Sequence, residues 1–398
     1  VERTHDSVLE RSARRYVPSQ PAKEAAKVVT GVHSAISSRV FQSIRAINGV
    51  TRFSVNVAAE IAEAAAPEVN ISEAGVDPSF KSDSCGVAMP IGSPAAGSAR
   101  WYVDHLQSSI NGFWGEYLRR NGSRLDLGMT LRHHGRDLPV TAEDIAAAFP
   151  NPSNRVCVFV HGLATTEWLW SLSAQEHYAD PAVTFGTRLQ EDLGFTPIYL
   201  RYNTGRHISE NGRALAALLT EVLEAYPVSI DEIALVGHSM GGLVVRSAAH
   251  YGAKSDEPWV RPLRHVVCIG SPHLGAPLEK AVNLLTGVLR NVEAAGAQVP
   301  AELLDSRSAG VKDLRYGYTL DEEWVGLDPD KVFANARRDL PLVDGVGYYF
   351  LAATISRDPD HPLGRLVGDL MVRLPSALGE AAEPARRIQF ESGAILPG

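Results

Sequence analysis

The residues best suited to chemistry are the five from Gly237 to Gly241, with the sequence Gly-His-Ser-Met-Gly. The apolar run IALV leads into them and a helical pattern follows, which predicts a strand, a sharp turn and a helix. Such a turn exposes a serine oxygen above the end of a sheet, where a base can activate it as a nucleophile. Glycines at both ends remove Cβ atoms that would collide. Ser239 is therefore the candidate nucleophile; a glycine-rich turn without chemistry is the alternative.

A second motif, His161-Gly162-Leu163, directly follows the apolar run VCVFV. A serine nucleophile needs N–H donors facing the negative charge that develops on the substrate carbonyl. Beside a GxSxG turn, one donor is the N–H after the serine, here Met240, and the other lies in the loop after an earlier strand, here Leu163. The side chains of these two residues are then free to line an acyl pocket. The predicted supporting residues are His161, Gly162, Gly237 and Gly241.

Alternating strand and helix patterns surround both motifs and predict an α/β domain over residues 98–398. Near-continuous apolar runs are typical of parallel strands with helices on both faces of the sheet. The predicted strands are a hairpin at 127–140 and the segments 155–160, 196–202, 231–237, 264–270, 348–355 and 387–391. The predicted helices are 101–120, 142–149, 183–193, 209–226 and 241–251.

Residues 276–345 interrupt this alternation with helical and irregular sequence. An insertion of this kind predicts a helical lid, whose apolar positions between Val282 and Val292 would cover an acyl chain and exclude water. Trp168 and Trp170 follow the second motif and are candidates for a facing wall of the pocket. The alternative for both the apolar positions and the tryptophans is a place in the core.

The first 97 residues differ from the rest of the chain. Residues 21–66 carry an apolar stripe at helical spacing, which predicts that residues 1–66 form a helical extension that packs against the protein or another chain. A helix on a membrane surface would need a denser basic face, so peripheral membrane contact is the lesser alternative. Residues 67–97 are rich in Ser, Gly, Pro and Asp, which is typical of a linker.

Composition excludes several function classes. With 38 Lys and Arg against 46 Asp and Glu, the net charge is −8, and no basic surface for nucleic acid is expected. The cysteines Cys85, Cys157 and Cys268 are too few and too scattered for a disulfide framework or a metal site, so we expect neither a metal nor a cofactor. The sequence has no apolar run long enough for a membrane span and no signal sequence at its start. We expect a cytoplasmic protein and leave its oligomeric state open.

Three segments, VCVFVHGL, LVGHSMGG and CIGSPHLGAP, occur in this order. Together they resemble the lipase and esterase branch of the α/β-hydrolase superfamily, in particular bacterial lipase-like and GPI-inositol-deacylase-like domains. The resemblance implies a carboxylic ester hydrolase that forms an acyl-enzyme on Ser239 and acts on small-molecule or lipid esters. It also implies that His273 lies beside the catalytic centre as a structural residue and not as the base. Acyl transfer by the same site and a non-catalytic, hydrolase-like binding protein stay open as alternatives.

The resemblance also implies an acid and then a histidine downstream of the nucleophile. Residues 368–372, Gly-Asp-Leu-Met-Val, are similar to the acid loop Gly-Asp-Gly-x-Val, although Leu370 replaces the second glycine. Asp369 is therefore the predicted acid, which would orient the imidazole and stabilise its protonated form. The alternative acids are Asp344, Asp358 and Asp360.

No histidine follows the predicted acid, because the last one in the sequence is His361. The sequence could be cut short before the catalytic histidine, which its first residue, Val1, makes easier to accept. Otherwise the protein lacks the base, or His361 or His273 takes that role against the usual order of the chain. If the protein lacks the base, its activity should fall to the residual level that the oxyanion hole and substrate binding supply.

Overall fold

The computed structural model describes residues 99–171, 174, 178–180, 182–276, 308–326, 336–354, 374–379, 388 and 392–397. The predicted extension at 1–66, the linker at 67–97 and Asp369 lie outside these ranges. The apolar positions between Val282 and Val292 of the expected lid also lie outside them. The proposed domain boundaries therefore stay predictions.

The centre of the described chain is an eight-stranded sheet with the order β2-β1-β4-β3-β5-β6-β7-β8. Strand β1 pairs antiparallel with β2 and β4, and the pairs from β4 to β8 are parallel. The strands are β1 (Met129–His133), β2 (Arg136–Leu138), β3 (Arg155–Val160), β4 (Thr196–Tyr202), β5 (Glu232–His238), β6 (Leu263–Ile269), β7 (Gly347–Thr354) and β8 (Ser392–Pro397).

Helices connect the strands of this sheet. The α-helices are α1 (Ala99–Arg120), α2 (Ala142–Ala148), α3 (Phe185–Leu193), α4 (Ile208–Ala225), α5 (Met240–Lys254), α6 (Ala309–Tyr316) and α7 (Leu374–Ala377). Short 3-10 helices cover Glu167–Ser171, Pro258–Val260 and Asp321–Glu323. Among the described helices, none is long and apolar enough to cross a bilayer.

The core lies on both faces of the sheet, which explains the continuous apolar runs. Along β3, Val156, Val158 and Val160 join the large cluster that also contains residues of α4 and α5, whereas Cys157 and Phe159 join a second cluster. Alternate side chains of a strand point to opposite faces, so a strand covered on both sides is apolar at every position. The mainly parallel α/β architecture predicted from the sequence is confirmed.

Most predicted elements agree with the structure to within a few residues, but the last strand does not. Strand β8 begins at Ser392, whereas the prediction placed a strand at 387–391; within that range Ile388 is described and lies outside any strand. The apolar alternation of RRIQF therefore gave the wrong position. The described end of the expected lid, residues 308–326, packs onto the body: Ser308 donates a hydrogen bond to the Gly112 carbonyl (2.6 Å).

Candidate active site

Ser239 lies in a strained turn between β5, which ends at His238, and α5, which begins at Met240. Its backbone has φ 52° and ψ −119°, a conformation that residues with a side chain rarely adopt. The Ser239 N–H donates to the Ile269 carbonyl at the end of β6 (2.8 Å), and the Ser239 carbonyl accepts from Gly242 N–H (3.1 Å). The residue is half-buried. Its backbone is thus held in this conformation at the carboxyl end of the sheet.

The glycines around Ser239 are required by close backbone contacts. A Cβ atom on Gly237 would lie 2.4 Å from the backbone of Gly241 and Gly242, and one on Gly241 would lie 2.2 Å from the Val160 carbonyl oxygen. Real Cβ atoms do not approach other atoms this closely. Gly242 lies outside the motif used in the prediction, yet its Cβ would meet Ser271 Oγ at 1.9 Å.

The loop after β3 lies next to Ser239. A Cβ on Gly162 would be 3.1 Å from the Ser239 Cβ, so the backbone of this loop passes close to the nucleophile. Within the described residues, the structure shows no hydrogen bond from the N–H of Leu163 or Met240. Met240 is the first residue of α5, where a helix has unpaired N–H groups. The two predicted oxyanion donors therefore lie on neighbouring segments and have no partner among these residues.

Side chains near these donors belong mostly to the core. Met240 is fully buried, so its side chain does not line a pocket, and this part of the prediction was wrong. The reason is that α6 covers the side chain: the Met240 Cε would lie 3.2 Å from a Cβ placed on Gly310. The Leu163 side chain is half-buried against the main core cluster. Trp168 and Trp170 are also buried, which favours the core alternative over a pocket wall.

His161 supports the loop from inside. Its ring is fully buried, its Nδ1 lies 2.9 Å from the Gly162 carbonyl, and its own carbonyl accepts a hydrogen bond from the Tyr202 hydroxyl (2.8 Å). Burial lowers the pKa of His161 to about 3. The ring is therefore neutral at physiological pH, and a carbonyl only accepts, so Nδ1 carries the proton and donates to Gly162.

His273 lies in the loop after β6 and is 1% exposed. Arg246 Nη1 lies 3.0 Å from its Nδ1, and its ring stacks on Phe350 with the centroids 4.0 Å apart. Burial and the positive charge of Arg246 hold the pKa of His273 well below its usual value. These contacts favour a structural role for His273 over the role of the catalytic base. Sequence reasoning missed Arg246, although a cation inside the apolar helix GGLVVRSAA signals a buried polar contact.

Among the candidate acids, Asp344 is described and the other three lie outside the described residues. Asp344 is exposed and precedes β7, at the amino end of that parallel strand. Ser239 lies at the opposite, carboxyl edge of the sheet, so Asp344 cannot orient its base. Asp369 stays the predicted acid. In the described ranges, no group of three or more His, Cys, Asp or Glu side chains is arranged to hold a metal ion.

A buried ionic cluster beside the loop after β3 was also missed. It consists of Asp104 on α1, Glu167 in the 3-10 helix after the loop, Arg201 on β4 and Arg132 on β1. Burial opposes ionisation of Asp104, but the hydrogen bond and charge of Arg201 outweigh this effect and lower the pKa of the carboxyl. A charged residue inside the buried strand IYLRY was the available signal, because a buried charge requires a partner.

Comparison with known proteins agrees with this geometry. Residues 151–307 match the family model described as "Putative serine esterase (DUF676)". The match includes the loop after β3, the Ser239 turn and the strand β6. No curated protein matches the sequence.

Several solved structures resemble the chain at low identity. A lipase from Bacillus licheniformis is 19% identical over 62% of this chain and 84% of its own, with a TM-score of 0.35. A phospholipase from Legionella pneumophila is 16% identical over 56% of this chain and 44% of its own, with a TM-score of 0.35. A lipase-esterase related protein from Clostridium acetobutylicum is 14% identical over 62% of this chain and 85% of its own, with a TM-score of 0.31. Resemblances at this level specify no activity for this chain.

The topology and the turn carry the assignment instead. A mainly parallel sheet with an antiparallel hairpin at one edge, and a strained serine between a central strand and a helix, are features of the α/β-hydrolase fold. The described part of the chain has the α/β-hydrolase fold, and its segment 151–307 matches the family model of putative serine esterases.

Proposed function

We propose that the protein is a serine carboxylic ester hydrolase that works through an acyl-enzyme on Ser239. The observation that carries this proposal is the strained backbone of Ser239, with φ 52°, beside the Gly162 backbone. Strain of this kind persists only where the surrounding structure enforces it, and it occurs mostly at functional sites. The serine esterase description of the matching family supports the same activity.

In the proposed reaction, the Ser239 oxygen attacks the ester carbonyl carbon and its proton passes to a general base. The carbonyl oxygen becomes negative and accepts hydrogen bonds from the N–H groups of Leu163 and Met240. Collapse of this intermediate breaks the carbon–oxygen bond to the alcohol, which takes the proton from the base. Water then attacks the acyl-enzyme by the same steps and releases the acid. Asp369 is the proposed partner of the base.

The apolar side chain of Leu163, next to Gly162, favours an uncharged acyl group. Leu163 is half-buried and directly follows Gly162, whose backbone passes close to Ser239. We therefore propose a small-molecule or lipid ester as the substrate. A series of esters with graded acyl length measures which acyl length the site prefers.

The test is hydrolysis of p-nitrophenyl esters of graded acyl length by the wild-type chain and by Ser239→Ala. We expect the variant to lose about 10⁴-fold or more in kcat, because the nucleophile is removed while binding is retained. Ser255→Ala is the matched control, since Ser255 is an exposed serine at the other end of α5. Equal rates for wild type and Ser239→Ala, or failure of a fluorophosphonate to label Ser239, would rule out this function.

A further inference from the structure

The direction of the Leu163 N–H is determined by the carbonyl of the preceding residue. The two groups belong to the same planar trans peptide, so they point in opposite directions. Whatever holds the Gly162 carbonyl on one side therefore holds the Leu163 N–H on the other. A rotation of this peptide would turn the N–H away from an oxyanion beside Ser239.

Three donors hold the Gly162 carbonyl. Thr165 Oγ1 donates at 2.9 Å, His161 Nδ1 lies at 2.9 Å, and Thr165 N–H donates at 3.4 Å. Two of the three come from Thr165, which is half-buried and three residues further along the same loop. The Thr165 hydroxyl thus opposes rotation of the peptide that carries the proposed donor.

The end of the loop is fixed by the ionic cluster. Glu167 accepts from Arg201 at 2.7 Å through both carboxylate oxygens, and Arg132 Nε donates to it at 3.0 Å. The side chains of Glu167 and Arg201 are 6% and 3% exposed. A buried carboxylate that loses a charged partner is strongly destabilised, so this arrangement allows little movement of residue 167.

Helix α1 completes the support from outside the matched segment. Asp104 Oδ1 accepts from Arg201 Nη1 (2.6 Å), and Asp104 Oδ2 accepts from Trp168 Nε1 (3.0 Å). In the loop itself, a Cβ on Gly112 would lie 2.8 Å from the Ala164 Cβ, so α1 packs directly on it. The position of the loop therefore depends on a helix that precedes residues 151–307.

We propose that Thr165 and Glu167 are positioning residues for the hydrolytic reaction. Thr165 sets the direction of the Leu163 N–H, and Glu167, through Arg201 and Asp104, fixes the loop that carries it. The inference rests on the proposed function, since it assigns the Leu163 N–H to the oxyanion. Neither residue touches the substrate; both act through the backbone between them and Ser239.

The first test compares Thr165→Val with Thr165→Ser. Valine keeps the shape but removes the hydroxyl, whereas serine keeps the hydroxyl. We expect Thr165→Val to lower kcat about tenfold with little change in KM, because an oxyanion donor acts mainly in the transition state. Thr165→Ser should stay within about twofold of wild type, as expected when its donor is retained. Equal kcat values for the two variants would overturn the role of Thr165.

A trifluoromethyl ketone gives an independent measurement, because its adduct with Ser239 carries an oxyanion. Its inhibition constant should rise in Thr165→Val by the same factor as kcat/KM falls, and should not rise in Thr165→Ser. A purely structural role for Thr165 would not produce this parallel change. An inhibition constant equal in both variants overturns the inference.

The second test compares Glu167→Gln with Glu323→Gln. Glu323 is also a buried carboxylate, but it accepts backbone N–H groups of Leu320 and Arg338, away from the loop. Both variants should melt at a lower temperature. Below both transitions, Glu167→Gln should lose about tenfold in kcat and Glu323→Gln should stay within about twofold. Equal kcat values would exclude a positioning role for Glu167.

Failure of this inference can be distinguished from failure of the proposed function. If the wild-type chain hydrolyses esters and a fluorophosphonate labels Ser239, but Thr165→Val and Glu167→Gln match their controls, only the positioning roles are overturned. If the wild-type chain neither hydrolyses esters nor is labelled, the proposed function and the inference are both wrong.

Discussion

The Ser239 turn and the loop after β3 lie side by side but are stabilised in different ways. Their strands are parallel neighbours, with Val160 aligned with Gly237. Backbone contacts hold the turn: Gly237 and Gly241 leave no space for a Cβ, and Ser239 N–H donates to β6. Side chains hold the loop, through the hydroxyl of Thr165 and the buried ion pairs of Glu167.

This difference separates what is local in sequence from what is not. The turn is specified by five consecutive residues, whereas the ion pairs of the loop join residues 34 and 97 positions apart. Steric exclusion requires small residues at fixed spacing. An ionic cluster requires only that complementary charges meet after folding. We therefore expect substitutions in the turn to act by collision and substitutions at the loop to act by loss of polar contacts.

The largest effect is expected for Gly241→Ala in the turn. The added Cβ would lie 2.2 Å from the Val160 carbonyl oxygen and 2.6 Å from that of His161, so β3 and the turn must separate. We expect a loss of about 3 kcal/mol in the free energy of unfolding, the upper range for overpacking. Hydrolysis should fall at least about 100-fold, since small displacements of reacting groups cost that much. Denaturant unfolding and p-nitrophenyl ester hydrolysis measure the two effects.

Gly194→Ala is the control for Gly241→Ala. Gly194 has φ 73° at the end of α3, but a Cβ there meets nothing within 4 Å. It should cost about 1 kcal/mol from backbone strain alone and leave hydrolysis unchanged. If Gly241→Ala behaves like Gly194→Ala, collision does not determine the geometry of the turn.

A smaller effect is expected for Arg201→Lys at the loop. One ammonium group cannot replace a guanidinium that contacts both Glu167 and Asp104, although it keeps the charge. We expect a loss of about 2 kcal/mol in stability, less than for removal of a buried partner. The kcat for ester hydrolysis should fall about tenfold because the loop is less well fixed.

The matched control for Arg201→Lys is Arg155→Lys. Arg155 pairs with Glu232 near the opposite edge of the sheet, and the two side chains are 38% and 20% exposed. An ion pair in contact with solvent contributes little, about 0.5 kcal/mol, and its replacement should not change kcat. A kcat for Arg201→Lys equal to that of Arg155→Lys would show that the loop does not need its ionic support.

The same contrast explains how much the sequence predicts. Apolar runs bounded by turns give the limits of β3 and β4 to the residue, and GxSxG in its strand and helix context identifies Ser239. The fold follows from such local patterns because strand and helix periodicity express burial directly. The contacts of Arg246 with His273, and of Arg201 with Glu167, cannot be derived in this way. Each sequence segment shows a charge in an apolar setting but not the partner it will meet.

The weakest predictions rest on an ambiguous sequence pattern and depend on contacts with residues far away in the sequence. The last strand was misplaced because RRIQF has the alternation of a strand, whereas SGAILP, which forms β8, begins with two small residues. Asp369 was selected from a likeness at three positions of a five-residue motif, and Gly-Asp pairs are also common in ordinary turns. Its role needs the partner imidazole as evidence, and no local pattern supplies that.

The effect that is most specific to the loop concerns pH. The folded protein holds the pKa of His161 at about 3, whereas an unfolded chain has a histidine pKa of about 6.5. Below about pH 6.5 the unfolded state therefore binds a proton that the folded state does not, and stability falls as the pH decreases. For one such group the slope of stability against pH is about 1.4 kcal/mol per pH unit.

Urea unfolding at pH 6, 5 and 4 should show a slope smaller by this amount in His161→Gln than in wild type. Ser239→Ala, in the turn, should keep the wild-type slope, since it removes no titrating group. Equal slopes in all three proteins would mean that His161 is protonated in the folded state as readily as in the unfolded chain. That result would contradict a buried, neutral ring that donates to Gly162.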